Sequence, residues 1–142
     1  DAPDHATCLD LLYSHCIEPE LQDPVMIVDY PAAQAALAKV AENDDGVLVA
    51  RRFELVIRGM EIANGYDELL DAGEQAQRFA ADQRARKQRD LPQFPQDRHL
   101  LAALAEGLPP CTGVALGVDR LLMLQTAASS IDEVLAFPLA RV

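Results

Sequence analysis

The stretch RFELVIRGMEIANGYDE (52–68) decides how the remainder of the chain is read. Phe53, Leu55 and Ile57 alternate with Arg52, Glu54, Val56 and Arg58. That period of two marks a strand with one apolar face and one mostly charged face. Gly59 allows a tight turn, and MEIANGY (60–66) returns as the partner strand of an antiparallel hairpin. With Arg58–Gly59 as a two-residue turn, Val56 faces Glu61 across the ladder. Glu54 is then the diagonal neighbour of Glu61 on the same face, roughly 7–8 Å away between backbones.

Working outward, Asp71 stands at an N-cap position with Glu74 three residues on, so a helix is expected from there to about Arg89. Its apolar stripe (Ala72, Ala76, Phe79, Ala80) is thin, and Arg84, Arg86, Lys87 and Arg89 crowd its second half. That basic end suits the negative end of the helix dipole. A helix is expected at about 97–106, ended by Gly107 and Pro109–Pro110. CTGVALGV (111–118) reads as a strand of small residues, DRLLMLQTAA (119–128) as a helix and IDEVLAFP (131–138) as a buried segment. Upstream, LDLLYSHCI (9–17) reads as a short amphipathic helix, VMIVDY (25–30) as a buried strand, AAQAALAKVA (32–41) as a helix and ENDDGV (42–47) as a polar turn. Strands and helices mix without βαβ alternation, so the fold class expected is α+β: an antiparallel sheet with flanking helices.

The chain has 142 residues, half of them hydrophobic and a quarter charged, with net charge −11. That length is one domain's worth, 1–142. The composition argues against wholesale disorder. The acidic balance repels nucleic-acid phosphates over long range unless another part of the molecule supplies a basic face. No apolar run approaches the ~20 residues of a membrane span. Asp1 and Asp4 sit where a secretion signal would need a basic, then greasy, start. Cys8, Cys16 and Cys111 are odd in number and form no CxxC pair, which points to a reducing, cytoplasmic compartment.

Three constellations have the residue types for chemistry. Glu54 and Glu61 offer hard oxygen ligands of the kind Mg²⁺ accepts alongside substrate phosphates. They equally suit a wet sheet face beside Arg52 and Arg58. Asn64-Gly65-Tyr66-Asp67-Glu68 places amide, aromatic and carboxylate groups at a strand end, able to hold an alkylammonium; it also reads as a plain turn. GVALGVDR (113–120) has Gly113 and Gly117 around a strand where a flat ligand or another backbone could approach, and Arg120 opens the next helix. His5, His15 and His99 have no mutual metal-ligand spacing. Cys111 lacks a local His or Asp partner.

Taken together, RFELVIRGMEIANGYDELLDAGEQAQRF (52–79), GLPPCTGVALGVDRLLML (107–124) and EVLAFP (133–138) resemble the C-terminal part of the catalytic domain in the class II lysyl-tRNA synthetase family. GVALGVDR resembles the third signature motif of that class. The likeness covers 9–142 and extends to the short family members that attach (R)-β-lysine to elongation factor P. It implies ATP and Mg²⁺, with Glu54 and Glu61 holding the metal and with Arg120 and Gly117 at the nucleotide. It implies an amino-acid pocket of Asn64, Tyr66, Glu68, Gly113 and Ala115, where Glu68 faces the side-chain ammonium of lysine or β-lysine. Arg120 is the implied catalytic residue. Ala115 stands where the tRNA enzymes typically have Gly, which favours elongation factor P over tRNA(Lys) as acceptor. Motif one, which makes the dimer interface of the implied homodimer, and motif two are both absent. The resemblance therefore implies a C-terminal portion that does not catalyse adenylation alone.

Overall fold

A computed structural model describes residues 5–139; Asp1 and Asp4 lie outside them. The elements in order are α1 (His5–Leu12), β1 (Val25–Ile27), β2 (Tyr30–Pro31), β3 (Val40–Glu42), β4 (Leu48–Ala50), β5 (Arg52–Ile57), β6 (Met60–Asp67), α2 (Ala72–Gln88), α3 (Arg98–Glu106), β7 (Thr112–Leu116) and α4 (Val118–Thr126). Short 3₁₀ turns lie between some of them. Strands order β1-β5-β6-β7 in one sheet and β2-β4-β3 in another. The mixed α+β class with antiparallel pairing is as the sequence implies. No helix among the described residues is long and apolar enough to cross a membrane.

The chain divides into two compact units. One comprises Asp1–Asp29, Phe53–Gly65 and Val114–Val142; the other comprises Tyr30–Arg52 and Tyr66–Gly113.

The first unit is built on the β5–β6 hairpin. Arg58 (φ 53°) and Gly59 (φ 67°) both lie in the left-handed region, the signature of a two-residue turn whose twist matches its strands. β1 pairs antiparallel with β5, setting Val25 against Val56 and Ile27 against Glu54. Val56, on the face that also carries Glu54, is 1% exposed. The face expected to be wet and charged is therefore covered at Val56, while Arg58 on it stays exposed. α1 starts earlier than expected and passes into a π-helical turn, Tyr13–Ile17. β7 forms the edge beyond β6, and Val114 and Leu116 on it are exposed. α4 starts at the Gly117 cap, where Gly117 N–H donates to Ile62 O. The expectation of a buried 131–138 fails: it holds a 3₁₀ turn, Ile131–Glu133, and Phe137 is 86% exposed, although Pro138 is buried.

The second unit contains the largest departures. VMIVDY is not one buried strand. Asp29 takes φ 56°, which ends β1 and sends Tyr30–Pro31 to the other sheet, where Tyr30 pairs with Ala50. The helix expected over 32–41 reduces to a 3₁₀ turn, Ala32–Gln34. Ala36 at φ 49° breaks it, and Val40–Glu42 pairs with β4. Alanine propensity is weak against a strand partner supplied by the sheet. β4 itself carried no expectation. α2 begins as read, with Asp71 Oδ1 accepting from Glu74 N at 2.8 Å. Its most buried residue, however, is Gln75, at 1% exposure. α3 is capped by Asp97, whose Oδ1 accepts from His99 N and Leu100 N, and it ends at Gly107 with φ 96°.

Candidate functional site

In the first unit, β6, β7 and α4 enclose a recess of about 290 Å³. Glu61, Asn64, Ala115, Gly117 and Arg120 all line it. These are five of the sequence-derived candidates, brought from positions up to 59 residues apart. Arg120 sits on the first turn of α4, and its Nη1 donates to the main-chain O of Glu61 at 2.8 Å. The Glu61 carboxylate is 4.0 Å from the same nitrogen, too far for a hydrogen bond. The carbonyl therefore holds the guanidinium, and the carboxylate keeps one oxygen for another cation. Its other oxygen accepts from Asn64 Nδ2 at 2.7 Å. Asn64 thus anchors Glu61, a role that strand alternation does not suggest. Gly117 lies beneath Arg120: a β-carbon there would reach Arg120 Cδ at 3.4 Å, ordinary contact, so an alanine fits.

Glu54 is half-buried on β5. The Tyr13 hydroxyl is buried without a hydrogen-bond partner. Burial first, and then the negative charges of Glu18, Glu54 and Glu61, raise its pKa above the ordinary phenol value. Both glutamates therefore act on one hydroxyl. Among the described residues no cluster of three or more His, Cys, Asp or Glu could hold a metal ion. Two carboxylates suffice for Mg²⁺ when phosphates complete the shell, so the donor set fits that ion.

In the second unit, Glu68 and Gly113 touch so closely that a β-carbon on Gly113 would collide with Glu68 Oε1. The main chain joins them as well, since Glu68 N–H donates to Cys111 O at 3.1 Å. Behind Glu68 is a cavity of about 200 Å³ walled by Leu37, Leu69, Leu100 and Leu104. Gln75 also borders it, with its Nε2 buried and without a partner. Tyr66 is half-buried and already has a cation on its ring: the Arg52 guanidinium stands 5.5 Å from its centroid and 4.3 Å from that of Tyr30. The sequence reading placed Arg52 only on a charged face. Tyr13, Arg52 and Gln75 are the residues it passed over. An arginine heading a strand whose partner carries a tyrosine near its far end was the available signal for Arg52; Gln75 and Tyr13 had none.

Comparison with known proteins adds the lineage. The family model for class II tRNA synthetases (D, K and N) matches residues 6–141. The elongation factor P--(R)-beta-lysine ligase of Pseudoalteromonas translucida (strain TAC 125) is 50% identical over 137 residues, 95% of this chain and 42% of that protein. The protein of that name from Salmonella enteritidis PT4 (strain P125109) is 50% identical over 140 residues, 97% of this chain and 42% of its own length. The chain spans about two fifths of the curated relatives it matches. The chain belongs to the class II tRNA synthetase family of the D, K and N type.

Proposed function

We propose that this chain is the C-terminal part of the catalytic domain of an ATP-dependent ligase. That ligase activates lysine or (R)-β-lysine as an adenylate and transfers it to elongation factor P. The observation that carries the reading is the recess in which Arg120, Glu61 and Asn64 converge beside Ala115 and Gly117. Identity of 50% to two enzymes named for this activity supports it. The complete enzyme is taken to be a cytoplasmic homodimer, and the chain alone to be inactive.

The amino-acid carboxylate attacks the α-phosphate, and pyrophosphate leaves. Positioning and charge neutralisation dominate such a reaction. Arg120, held by the Glu61 carbonyl, offsets charge on the departing phosphates. Glu54 and Glu61 would hold Mg²⁺, which supplies charge neutralisation at the phosphate oxygens. Glu68 pairs with the distal ammonium, and a substrate lacking that charge leaves a half-buried carboxylate unmatched. Gly113 gives that carboxylate its room.

ATP–pyrophosphate exchange tests the reading on a polypeptide of the relatives' length that contains this chain. Exchange is expected with lysine or (R)-β-lysine, followed by transfer of label to elongation factor P. Glu61→Gln is expected to lower exchange by about 10²-fold or more. Transfer to tRNA(Lys) in place of elongation factor P would overturn the acceptor. Exchange unaffected by Glu61→Gln would overturn the site.

A further inference from the structure

Arg52 opens β5 and belongs to neither the nucleotide recess nor the pocket residues named so far. Its guanidinium carbon stands 4.3 Å from the Tyr30 ring centroid and 5.5 Å from that of Tyr66. Nη1 donates to the main-chain O of Gln34 at 3.2 Å. A planar cation over two aromatic rings, tied to a carbonyl, has little freedom, and it restrains the rings in return. Arg52, Tyr30 and Tyr66 are all half-buried, so solvent screens the charge less than at an open surface. Tyr66 lies two residues before Glu68, the carboxylate assigned to the substrate ammonium. A ring face occupied by one cation does not welcome a second.

We propose that Arg52 is a positioning and specificity residue for the amino-acid pocket: by occupying Tyr66 it fixes that ring and denies it to the substrate's ammonium, which is left to Glu68. The inference rests on the pocket reading above and adds to it a residue that touches no substrate. Tyr66 then acts as a wall of fixed position, and selection by ammonium position falls to one carboxylate.

The test uses Arg52→Met, which keeps the stem and removes the charge, and Arg52→Lys, which keeps the charge and removes the plane. Both are measured by pyrophosphate exchange in the polypeptide of the relatives' length. Arg52→Met is expected to raise KM for lysine or (R)-β-lysine roughly tenfold, because the Tyr66 wall loses the cation–π contact that holds it in position. The KM for ATP is expected to stay within about twofold. Preference over ornithine, whose ammonium sits one methylene closer, is expected to shrink by a similar factor. Arg52→Lys recovers part of each. An unchanged amino-acid KM and unchanged ornithine discrimination overturn the proposal. So does an ATP KM that rises in step, which marks a merely structural role. Glu68→Gln run in parallel separates the two readings. If it raises KM while Arg52→Met does not, only the role of Arg52 fails; if neither does, the pocket itself fails. Folding is controlled in the same polypeptide of the relatives' length, where NMR should find the Arg52 δ-methylene protons shifted upfield by the two rings. Unshifted signals would also end the proposal.

Discussion

Replacing Gly113 with alanine separates stability from function sharply. The backbone at Gly113 is outside the left-handed region, so alanine is conformationally allowed there. The obstacle is one atom: the new methyl would overlap Glu68 Oε1, with Glu68 Cδ at 3.5 Å. That oxygen ends a flexible side chain, so it can swing away. To reach ordinary contact it must retreat by about 1 Å, and a misplacement of that size costs ~10²-fold in rate. That factor corresponds to about 2.7 kcal/mol of transition-state binding. Because only a rotamer changes, global stability should move by less than about 1 kcal/mol. Urea unfolding of the 142-residue chain reads the first quantity. Pyrophosphate exchange with lysine, in the polypeptide of the relatives' length, reads the second. The reasoning also requires that Gly113→Ala act through Glu68. Gly113→Ala added to Glu68→Gln should therefore cost little beyond Glu68→Gln alone. Additive losses, or full activity in Gly113→Ala with the fold intact, would refute it.

Asp71→Ala removes the acceptor for Glu74 N at the start of α2 and should destabilise the chain by about 1 kcal/mol, read by urea unfolding. In an ultraviolet pH titration, Tyr13 should ionise above the ordinary phenol range, and Tyr13→Phe should remove that component. The sign for stability follows from linkage. The folded pKa of Tyr13 is raised, so its contribution is complete below the unfolded value of about 10 and is lost as pH rises through the folded value. The alkaline limb of the stability curve should therefore be shallower in Tyr13→Phe, and an unchanged limb would count against the burial of that hydroxyl.

How much of this was legible depended on whether local rules and long-range partners agreed. The β5–β6 hairpin was readable because its alternation, its Arg58–Gly59 turn and its polar strand end point the same way. The caps of α2 and α3 were readable because a carboxylate meeting free amides is a local event. The segment 32–41 was misread for the opposite reason. Alanines favour a helix by tenths of a kcal/mol each, and β4 outbids that with a ladder for Val40–Glu42. β4 gave no signal of its own, so its effect on the neighbouring segment could not be foreseen. Val56 was assigned to a charged face because alternation reports which side a residue points to, and not what covers that side. The buried amide of Gln75 was equally hidden, since the apolar stripe of α2 was sought among alanines and Phe79.

The residues of the recess illustrate what spacing can and cannot supply. Glu61 and Asn64 are three apart on one strand, and ideal pleating would turn their side chains to opposite faces. They nonetheless bond at 2.7 Å. With one carboxylate oxygen engaged by that amide, the other is left 4.0 Å from Arg120, close enough to feel the charge and too far to be satisfied by it. Had Arg120 paired directly with the carboxylate, the pair would have neutralised itself. Because the guanidinium is instead held by the Glu61 main-chain oxygen, anionic and cationic groups stand side by side, each retaining capacity for a ligand of opposite charge. A magnesium–polyphosphate carries both charges at once. On the proposed nucleotide reading, the carbonyl bond is the feature that would turn an ordinary surface pair into a site for such a ligand, and it belongs to the backbone, where no reading of side-chain types would have found it.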